Sequence, residues 1–212
     1  MRLIKFVWFV ALGSIVMGMM NSCEDKGVVA QHTEPPPIPP PVDVVKAPQW
    51  TCPDCSAEEK LVLKELQGRT NITDRNALAT ILGNIKQESN FRSNVCEGGE
   101  IVQYHDCNVG GYGLVQWTTP KRYNGLGLFC SKYDCDPSSL SGQVRYMINE
   151  KDFQSVLPYF ELKRQSVQHY MITSYRWLRW GIEGNRALYS YQYTKRLVSV
   201  SYTHLTLPTT LT

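Results

Sequence analysis

The clearest hydrophobic pattern along the chain lies between residues 74 and 89. Four aliphatic residues recur there at intervals of three and four, which is the period of an amphipathic α-helix: Leu78, Ile81, Leu82 and Ile85. Thr73 is the expected N-cap, and Asp74 then falls in the first turn, where the helix dipole favours an acidic side chain. The pattern predicts a helix over residues 74–89.

Weaker patterns of the same period predict four more helices, and therefore a mostly helical domain. They cover residues 58–66, 138–149 with Ser138 as N-cap, 167–180, and 186–197. Residues 96–107, rich in glycine, asparagine and cysteine, are interpreted as a loop or short hairpin.

Glu88 lies three residues after Ile85, so a carboxylate continues the apolar stripe where the predicted helix ends. Partial burial removes hydration and favours the protonated form of a carboxyl group, which suits a proton donor. The spacing leaves open a second interpretation, in which Glu88 is a solvated acid at a helix end.

Residues 110–117, with the sequence GGYGLVQW, form the second notable stretch. Its glycines can adopt positive φ and bring the backbone close to a ligand. The amide of Gln116 and the indole of Trp117 would suit a sugar, which offers hydroxyl groups and flat C–H faces.

The order ESNF at 88–91 and GGYGLVQW at 110–117 resembles the lysozyme-like superfamily, and more narrowly the phage tail lysozyme domain. Lytic transglycosylases carry a looser version of both motifs. The resemblance is strong over residues 74–122. It implies a mostly helical α+β, lysozyme-like fold with a small β element beside the active-site cleft, and Glu88 as the catalytic acid. Residues expected to bind substrate or orient the acid are Ser89, Tyr112, Gly113, Gln116 and Trp117.

A glycosidase ordinarily uses two carboxylates. Candidates for the second are Glu97, Glu100 and Asp106, although each is equally explained as a solvated loop charge. The resemblance does not require a second acid, because the N-acetyl group or the 6-hydroxyl of the substrate can take its place. The N-acetyl route gives hydrolysis, and the 6-hydroxyl route gives an anhydro-muramic end.

The expected function is therefore that of a peptidoglycan glycosidase that cleaves MurNAc–GlcNAc β-1,4 bonds, with Glu88 as general acid. A lytic transglycosylase with the same site is one alternative. A non-catalytic peptidoglycan-binding module is an alternative of another class, although a pure binder has no need of an acid at the end of an apolar face.

Residues 1–23 resemble an export signal, a signal anchor or a lipoprotein signal. Arg2 and Lys5 precede an apolar run over residues 6–20, which is the order of a signal sequence. Cys23 is a candidate for lipidation. We therefore expect export, with the protein periplasmic or tethered to a membrane facing the wall, or associated with a virion.

Residues 24–49 contain PPPIPPPV, which predicts an extended polyproline spacer without a core. The folded catalytic domain is expected at 50–198, a length sufficient for one core. Residues 199–212 include VSYTHLTLPTT, which resembles a translated sequencing adapter, and this tail is expected to be non-native.

Seven cysteines favour an oxidising compartment. Apart from Cys23, six remain, and six cysteines allow fifteen pairings. The local pairs Cys96–Cys107 and Cys130–Cys135 are favoured because each would close a short loop.

Cys52 and Cys55 form a C-x-x-C motif, which in other proteins serves redox catalysis or zinc binding. A structural disulfide is favoured here, because no second C-x-x-C follows and the histidines lack zinc-ligand spacing.

The formal net charge of +3 suits an anionic polymer such as peptidoglycan. No basic run is dense enough to indicate nucleic-acid binding. We expect a monomer without a metal or organic cofactor.

Overall fold

The computed structural model of the chain describes residues 49–108 and 110–200. These residues form a two-stranded antiparallel sheet and seven α-helices, in the order β1 (Trp50–Thr51), α1 (Ala57–Arg69), α2 (Arg75–Ser89), α3 (Pro120–Tyr133), α4 (Leu140–Asn149), α5 (Lys151–Phe160), α6 (Val167–Leu178), α7 (Arg186–Arg196) and β2 (Val198–Ser199). A 3-10 helix covers Tyr104–Asp106. The predicted mostly helical α+β architecture is confirmed.

The predictions for the two ends of the chain fall largely outside the described residues. They concern the signal segment with Cys23, the proline-rich spacer, and residues 201–212 of the tail. Of the tail, Ser199 pairs with Trp50 in the sheet, and the backbone N–H of Val200 donates to the carbonyl of Gln49 at 2.9 Å. Within the part of the chain that the structure describes, no helix is both long and apolar enough to cross a membrane.

Helix α2 is capped by Asp74, so the prediction of Thr73 as N-cap is wrong. Asp74 has an extended backbone, and its Oδ1 accepts the backbone N–H of Asn76 at 2.8 Å and of Ala77 at 3.4 Å. One carboxylate oxygen thus satisfies two of the free N–H groups at the helix start, and its charge complements the helix dipole.

Helix α4 begins after Ser139, and the prediction of Ser138 as N-cap is also wrong. Ser139 Oγ accepts the N–H of Gly142 at 3.1 Å. Ser138 Oγ accepts instead the backbone N–H of Tyr104 at 2.8 Å. The long-range bond of Ser138 therefore joins the 3-10 helix to the start of α4.

The hydrophobic pattern did not predict α3 and α5, because each contains residues that are unfavourable inside a helix. Helix α3 contains Gly125 and Gly127, and α5 contains Pro158. The two glycines lie against the hydroxyl groups of Tyr146 and Tyr104, where a side chain would collide. Tertiary packing outweighs helix propensity at both elements.

Helix α2 is the centre of the core, since every residue from Ala77 to Ile85 is buried. The sequence predicted a one-sided apolar stripe, whereas the structure surrounds the helix. Its buried polar side chains form hydrogen bonds to carbonyls of the same helix. Thr80 Oγ1 donates to the Asn76 carbonyl at 2.6 Å, and Asn84 Nδ2 donates to the Thr80 carbonyl at 2.8 Å.

Helix α7 packs closely along α2 and runs in the opposite direction. A Cβ at Gly83 would lie 2.5 Å from the backbone nitrogen of Ser190, so only glycine allows this approach. Further along α2, Glu88 contacts Arg186, which precedes Ser190 on α7. The close contact at Gly83 thus sets the register that brings the start of α7 to the end of α2.

Three disulfides stabilise the domain, and they are the three pairs that the sequence analysis favoured: Cys52–Cys55, Cys96–Cys107 and Cys130–Cys135. The first precedes α1, the second closes the loop before the glycine-rich residues, and the third joins the end of α3 to the segment before α4. Each closes a short loop, and a short loop is the weakest entropic constraint on an unfolded chain.

Candidate active site

Glu88 lies in the last turn of α2, where the helix ends abruptly. Asn90 and Phe91 both have positive φ, at 50° and 62°, so the chain reverses just after the helix. The side chain of Glu88 is 14% exposed. The acid predicted from the sequence is therefore nearly buried and within reach of solvent at a helix end.

Arg186 holds the carboxylate of Glu88 in an ion pair. Its Nη2 lies 2.5 Å from Glu88 Oε1, and its side chain is 6% exposed. Arg186 was not predicted as a site residue, because it lies almost a hundred residues away from Glu88 in the chain. Nothing in the local pattern around position 186 marks it, because only the packing of α7 on α2 brings the two side chains together.

Ser89 joins the end of α2 to residues 110–117, which we call the glycine-rich segment. Its hydroxyl donates to the carbonyl of Leu114 at 2.8 Å, and the Ser89 side chain is buried. The end of α2 and the glycine-rich segment are therefore neighbours, as the resemblance implied. The role of the Ser89 hydroxyl in this structure is to hold the glycine-rich segment against the end of α2.

Gly113 is the point at which the glycine-rich segment requires glycine. Its φ is +70°, and a Cβ there would lie 2.4 Å from Gln143 Oε1. That oxygen accepts the backbone N–H of Leu114 at 2.7 Å, and Gln143 Nε2 donates to the carbonyls of Ser93 and Pro137 at 2.6 and 2.7 Å. Gln143, fully buried on α4, thus fixes the backbone of the segment.

Tyr112 and Trp117, both expected to bind saccharide, are completely buried. Tyr112 donates its hydroxyl to the carbonyl of Val102 at 3.2 Å, and burial raises the pKa of its phenol above the usual value. Trp117 Nε1 donates to Glu150 Oε2 at 3.1 Å. Both rings support the segment from the core side, so their side chains present no surface to a ligand in this structure.

Gln116 is the member of the predicted set that remains partly accessible. It has a positive φ of 51°, and its Nε2 donates to the carbonyls of Gly113 at 3.0 Å and Val95 at 3.3 Å. The carbamoyl group therefore closes the turn of the glycine-rich segment.

The three candidates for a second carboxylate are all exposed: Glu97, Glu100 and Asp106. Of the three, Glu97 holds the glycine-rich segment through its side chain, since its Oε2 accepts the N–H of Gly111 at 2.8 Å. The backbone N–H of Glu97 also donates to the Gly111 carbonyl at 2.7 Å. Glu97 and Ser89 thus hold the segment from two sides, and two isolated β-bridges lie in the same region, Val95–Ile101 and Cys96–Tyr112.

Metal-ligating side chains come together at one place within residues 49–108 and 110–200, namely Cys52, Asp54 and Cys55. The two sulfurs are joined in a disulfide, and Asp54 Oδ2 forms an ion pair with Arg196 Nε at 3.1 Å. Cysteine binds zinc as the thiolate, and a disulfide offers none, so this group joins the start of the domain to α7 instead of presenting a zinc site. An open cavity at the N-terminal end of α2, beside Trp50 and Asp74, lies at the opposite end of the helix from Glu88.

The fold and this site define a lysozyme-like protein: a mostly helical α+β domain whose buried central helix ends in a glutamate beside a glycine-rich turn. The chain belongs to the phage tail lysozyme family, whose model matches residues 58–183. This match includes Glu88, the glycine-rich segment and Glu97, and it ends before Arg186. No curated protein and no solved structure matches the chain. Membership of this family supports a lysozyme-like peptidoglycan hydrolase.

Proposed function

We propose that this protein cleaves the β-1,4 bond between MurNAc and GlcNAc in peptidoglycan, with Glu88 as the general acid. The observation that carries this proposal is the position of Glu88. Its carboxylate is the nearly buried one at the end of the central helix, and the next residue bonds directly to the glycine-rich segment. A general acid needs such restricted hydration together with access to substrate.

In this mechanism Glu88 donates a proton to the glycosidic oxygen as the bond from that oxygen to C1 of MurNAc breaks. The sugar at C1 passes through a transition state with oxocarbenium-ion character. Water then adds at C1 and returns a proton to the Glu88 carboxylate, which restores the acid. The N-acetyl group of the substrate stabilises the charge at C1, so a second protein carboxylate is not required.

The glycine-rich segment would contribute through Gln116, its partly accessible side chain, rather than through its buried rings. Gly113 allows the tight turn, and Gln143 behind it fixes the position of the turn. Tyr112 and Trp117 hold the segment rigid from the core side. A rigid backbone holds the Gln116 side chain in one position, where it can meet the hydroxyl and amide groups of a glycan.

We also propose that the protein is exported and acts as a monomer on the wall, from the periplasm, a membrane tether or a virion. Three disulfides in one domain suit an oxidising compartment. Residues 1–23 would direct export, and the proline-rich spacer would let a tethered domain reach the glycan.

Digestion of purified Gram-negative sacculi by the full chain, followed by mass spectrometry of the soluble muropeptides, tests the proposed reaction. Muropeptides with a reducing muramic acid end, heavier by one water than anhydro forms, are the expected products. Anhydro ends would identify a lytic transglycosylase instead. Protein that pellets with the sacculi without releasing muropeptides would identify a binding module and contradict an enzymatic role.

A further inference from the structure

We propose that Arg186 is a positioning residue for the reaction at Glu88: it binds Oε1 of the carboxyl group and leaves Oε2 to carry and transfer the proton. This inference rests on the proposed function, because it assigns a partner to the acid of that site. Arg186 lies beyond residues 58–183, so membership of the family does not assign it a role.

The guanidinium group of Arg186 is fixed by the segment that precedes α7. Its Nη1 donates to the carbonyls of Ile182 at 2.9 Å and Glu183 at 2.7 Å. Its Cζ lies 4.7 Å from the centroid of the Trp180 ring, so the indole covers the guanidinium. The rigid fork geometry of arginine then directs Nη2 at Glu88. The cation is therefore in place without help from a substrate.

A second hydrogen bond attaches the same segment to the residue before the acid. The backbone N–H of Asn185 donates to Gln87 Oε1 at 2.8 Å. Consecutive side chains at the end of α2, Gln87 and Glu88, thus bind consecutive residues at the start of α7, Asn185 and Arg186. This double attachment fixes the start of α7 against the end of α2, and so fixes the position of Arg186 relative to Glu88.

The two oxygens of Glu88 differ in their contacts. Oε1 accepts from Arg186 Nη2 at 2.5 Å, and among residues 49–108 and 110–200 no hydrogen bond to Oε2 is formed. A protonated carboxyl group has one carbonyl oxygen that accepts and one hydroxyl oxygen that donates. Because an arginine can only donate, the oxygen that it binds must be the acceptor. The acidic proton is thereby assigned to Oε2.

The positive charge of Arg186 stabilises Glu88 most strongly as the proton leaves the carboxyl group. Glu88 gains negative charge during the transfer, at a helix end whose free carbonyl groups disfavour an anion. Arg186 is 6% and Glu88 14% exposed, so solvent screens their attraction only weakly. An interaction that strengthens as the transition state forms raises kcat and leaves KM nearly unchanged.

The test compares kcat and KM on solubilised peptidoglycan for the full chain and its variants. Arg186→Gln is expected to lower kcat roughly 10- to 100-fold, with KM within about twofold of wild type. Arg186→Lys should retain a larger share of kcat, and methylguanidinium added to Arg186→Ala should restore part of it. In a Glu88→Gln background, Arg186→Gln should cause no further loss, because the two residues act as one unit.

Arg196→Gln is the matched control, since it removes another guanidinium on α7 that forms ion pairs, with Asp54 and Glu59. The midpoint of thermal unfolding is measured for each variant. Arg186 would only stabilise the fold if both variants lost kcat in proportion to the fall in their unfolding midpoints, and if neither lysine nor methylguanidinium restored kcat at position 186. Unchanged kcat in Arg186→Gln, or a change in KM alone, would also overturn the positioning role.

The same experiments separate failure of this inference from failure of the proposed function. If the wild type and Glu88→Gln release muropeptides equally, or if neither does, Glu88 is not the acid and both proposals are wrong. If Glu88→Gln is inactive while Arg186→Gln matches the wild type, only the role of Arg186 is wrong.

Discussion

At the scale of single residues, the role proposed for Glu88 places two opposing requirements on one position. A proton donor benefits from burial, whereas the carboxylate that remains after transfer needs a stabilising partner. The side chain is 14% exposed, and Arg186 supplies the charge of opposite sign. The sequence pattern indicated the burial but not the partner.

Glu88→Gln preserves the size of the side chain and removes the acidic proton. We expect kcat on sacculi to fall by roughly 10²–10⁴-fold, which is the usual contribution of a general acid. Pelleting with sacculi should be nearly unchanged, because the substitution does not alter the glycine-rich segment. Loss of the ion pair with Arg186 is expected to lower the midpoint of thermal unfolding, which is measured beside kcat. Equal muropeptide release by mutant and wild type would remove Glu88 from the mechanism.

Glu97→Gln separates a structural role from a catalytic one at the second carboxylate. Glutamine retains an oxygen that can accept the N–H of Gly111, so the segment should keep its conformation. Because the substrate can supply the second group, we expect kcat within about threefold of wild type. The exposed Glu100→Gln is the control for loss of one negative charge. A fall of about 10²-fold in Glu97→Gln alone would make Glu97 the second catalytic carboxylate.

At the scale of secondary-structure elements, the contact between α2 and α7 determines the geometry of the site. Gly83 allows the backbones to approach at Ser190, and this register places Arg186 beside Glu88. Short-range patterns located both helices to within a few residues. They could not predict which helix packs against which, because that choice depends on the shapes of surfaces distant in the chain.

Gly83→Ala should therefore destabilise the protein although alanine is the better helix former. The added Cβ would meet the backbone of Ser190 at 2.5 Å, and backbone cannot move aside as a flexible side chain can. We expect the free energy of unfolding to fall by about 1–3 kcal/mol, the usual cost of overpacking, measured by urea denaturation.

Gly181→Ala is the matched control for Gly83→Ala. No atom lies within 4 Å of a Cβ built at Gly181, so this substitution should leave the free energy of unfolding nearly unchanged. If Gly83→Ala is as stable as Gly181→Ala, the close contact between α2 and α7 does not set their spacing.

At the scale of the whole molecule, a buried network of hydrogen bonds and an ion pair at Glu150 joins α3, α6 and the end of the glycine-rich segment. Glu150, between α4 and α5, accepts from Arg122 of α3 at 2.7 and 2.9 Å. It also accepts from the indole N–H of Trp117 at 3.1 Å and of Trp177 on α6 at 2.9 Å. One carboxylate thereby satisfies donors from three separate parts of the chain and fixes the end of the glycine-rich segment.

Glu150→Gln should destabilise the domain strongly, because it leaves Arg122 without its buried counter-charge. It also places the NH₂ group of the amide where neighbouring N–H groups need an acceptor. We expect the free energy of unfolding at neutral pH to fall by about 3–5 kcal/mol, measured by urea denaturation. Asp152, 3.5 Å from Arg122 and 42% exposed, offers only partial compensation.

The control for Glu150→Gln is Glu65→Gln, which breaks the exposed pair of Glu65 with Arg69. An exposed pair of this spacing contributes about 0.3–0.5 kcal/mol. Similar losses in the two variants would show that the network at Glu150 adds no more than a surface ion pair.

The sequence by itself determined the features that depend on short-range order. The periodicity of α2, the position of Glu88 at its end, the turn around Gly113 and the three local disulfides all follow from residues close together in the chain. Helices α3 and α5 could not be predicted in this way. Their glycines and proline lower the local helix propensity, and only tertiary packing compensates for that loss.

The tertiary structure alone decided which chemical groups meet. Tyr112 and Trp117 have the residue types of a sugar-binding surface, yet the fold buries both and uses them to support the backbone. Arg186 carries no local signal, yet the register of α7 on α2 brings it to the acid. Sequence spacing predicts contacts over one or two turns of helix, whereas the burial of a ring and the pairing of distant charges depend on how whole surfaces fit together.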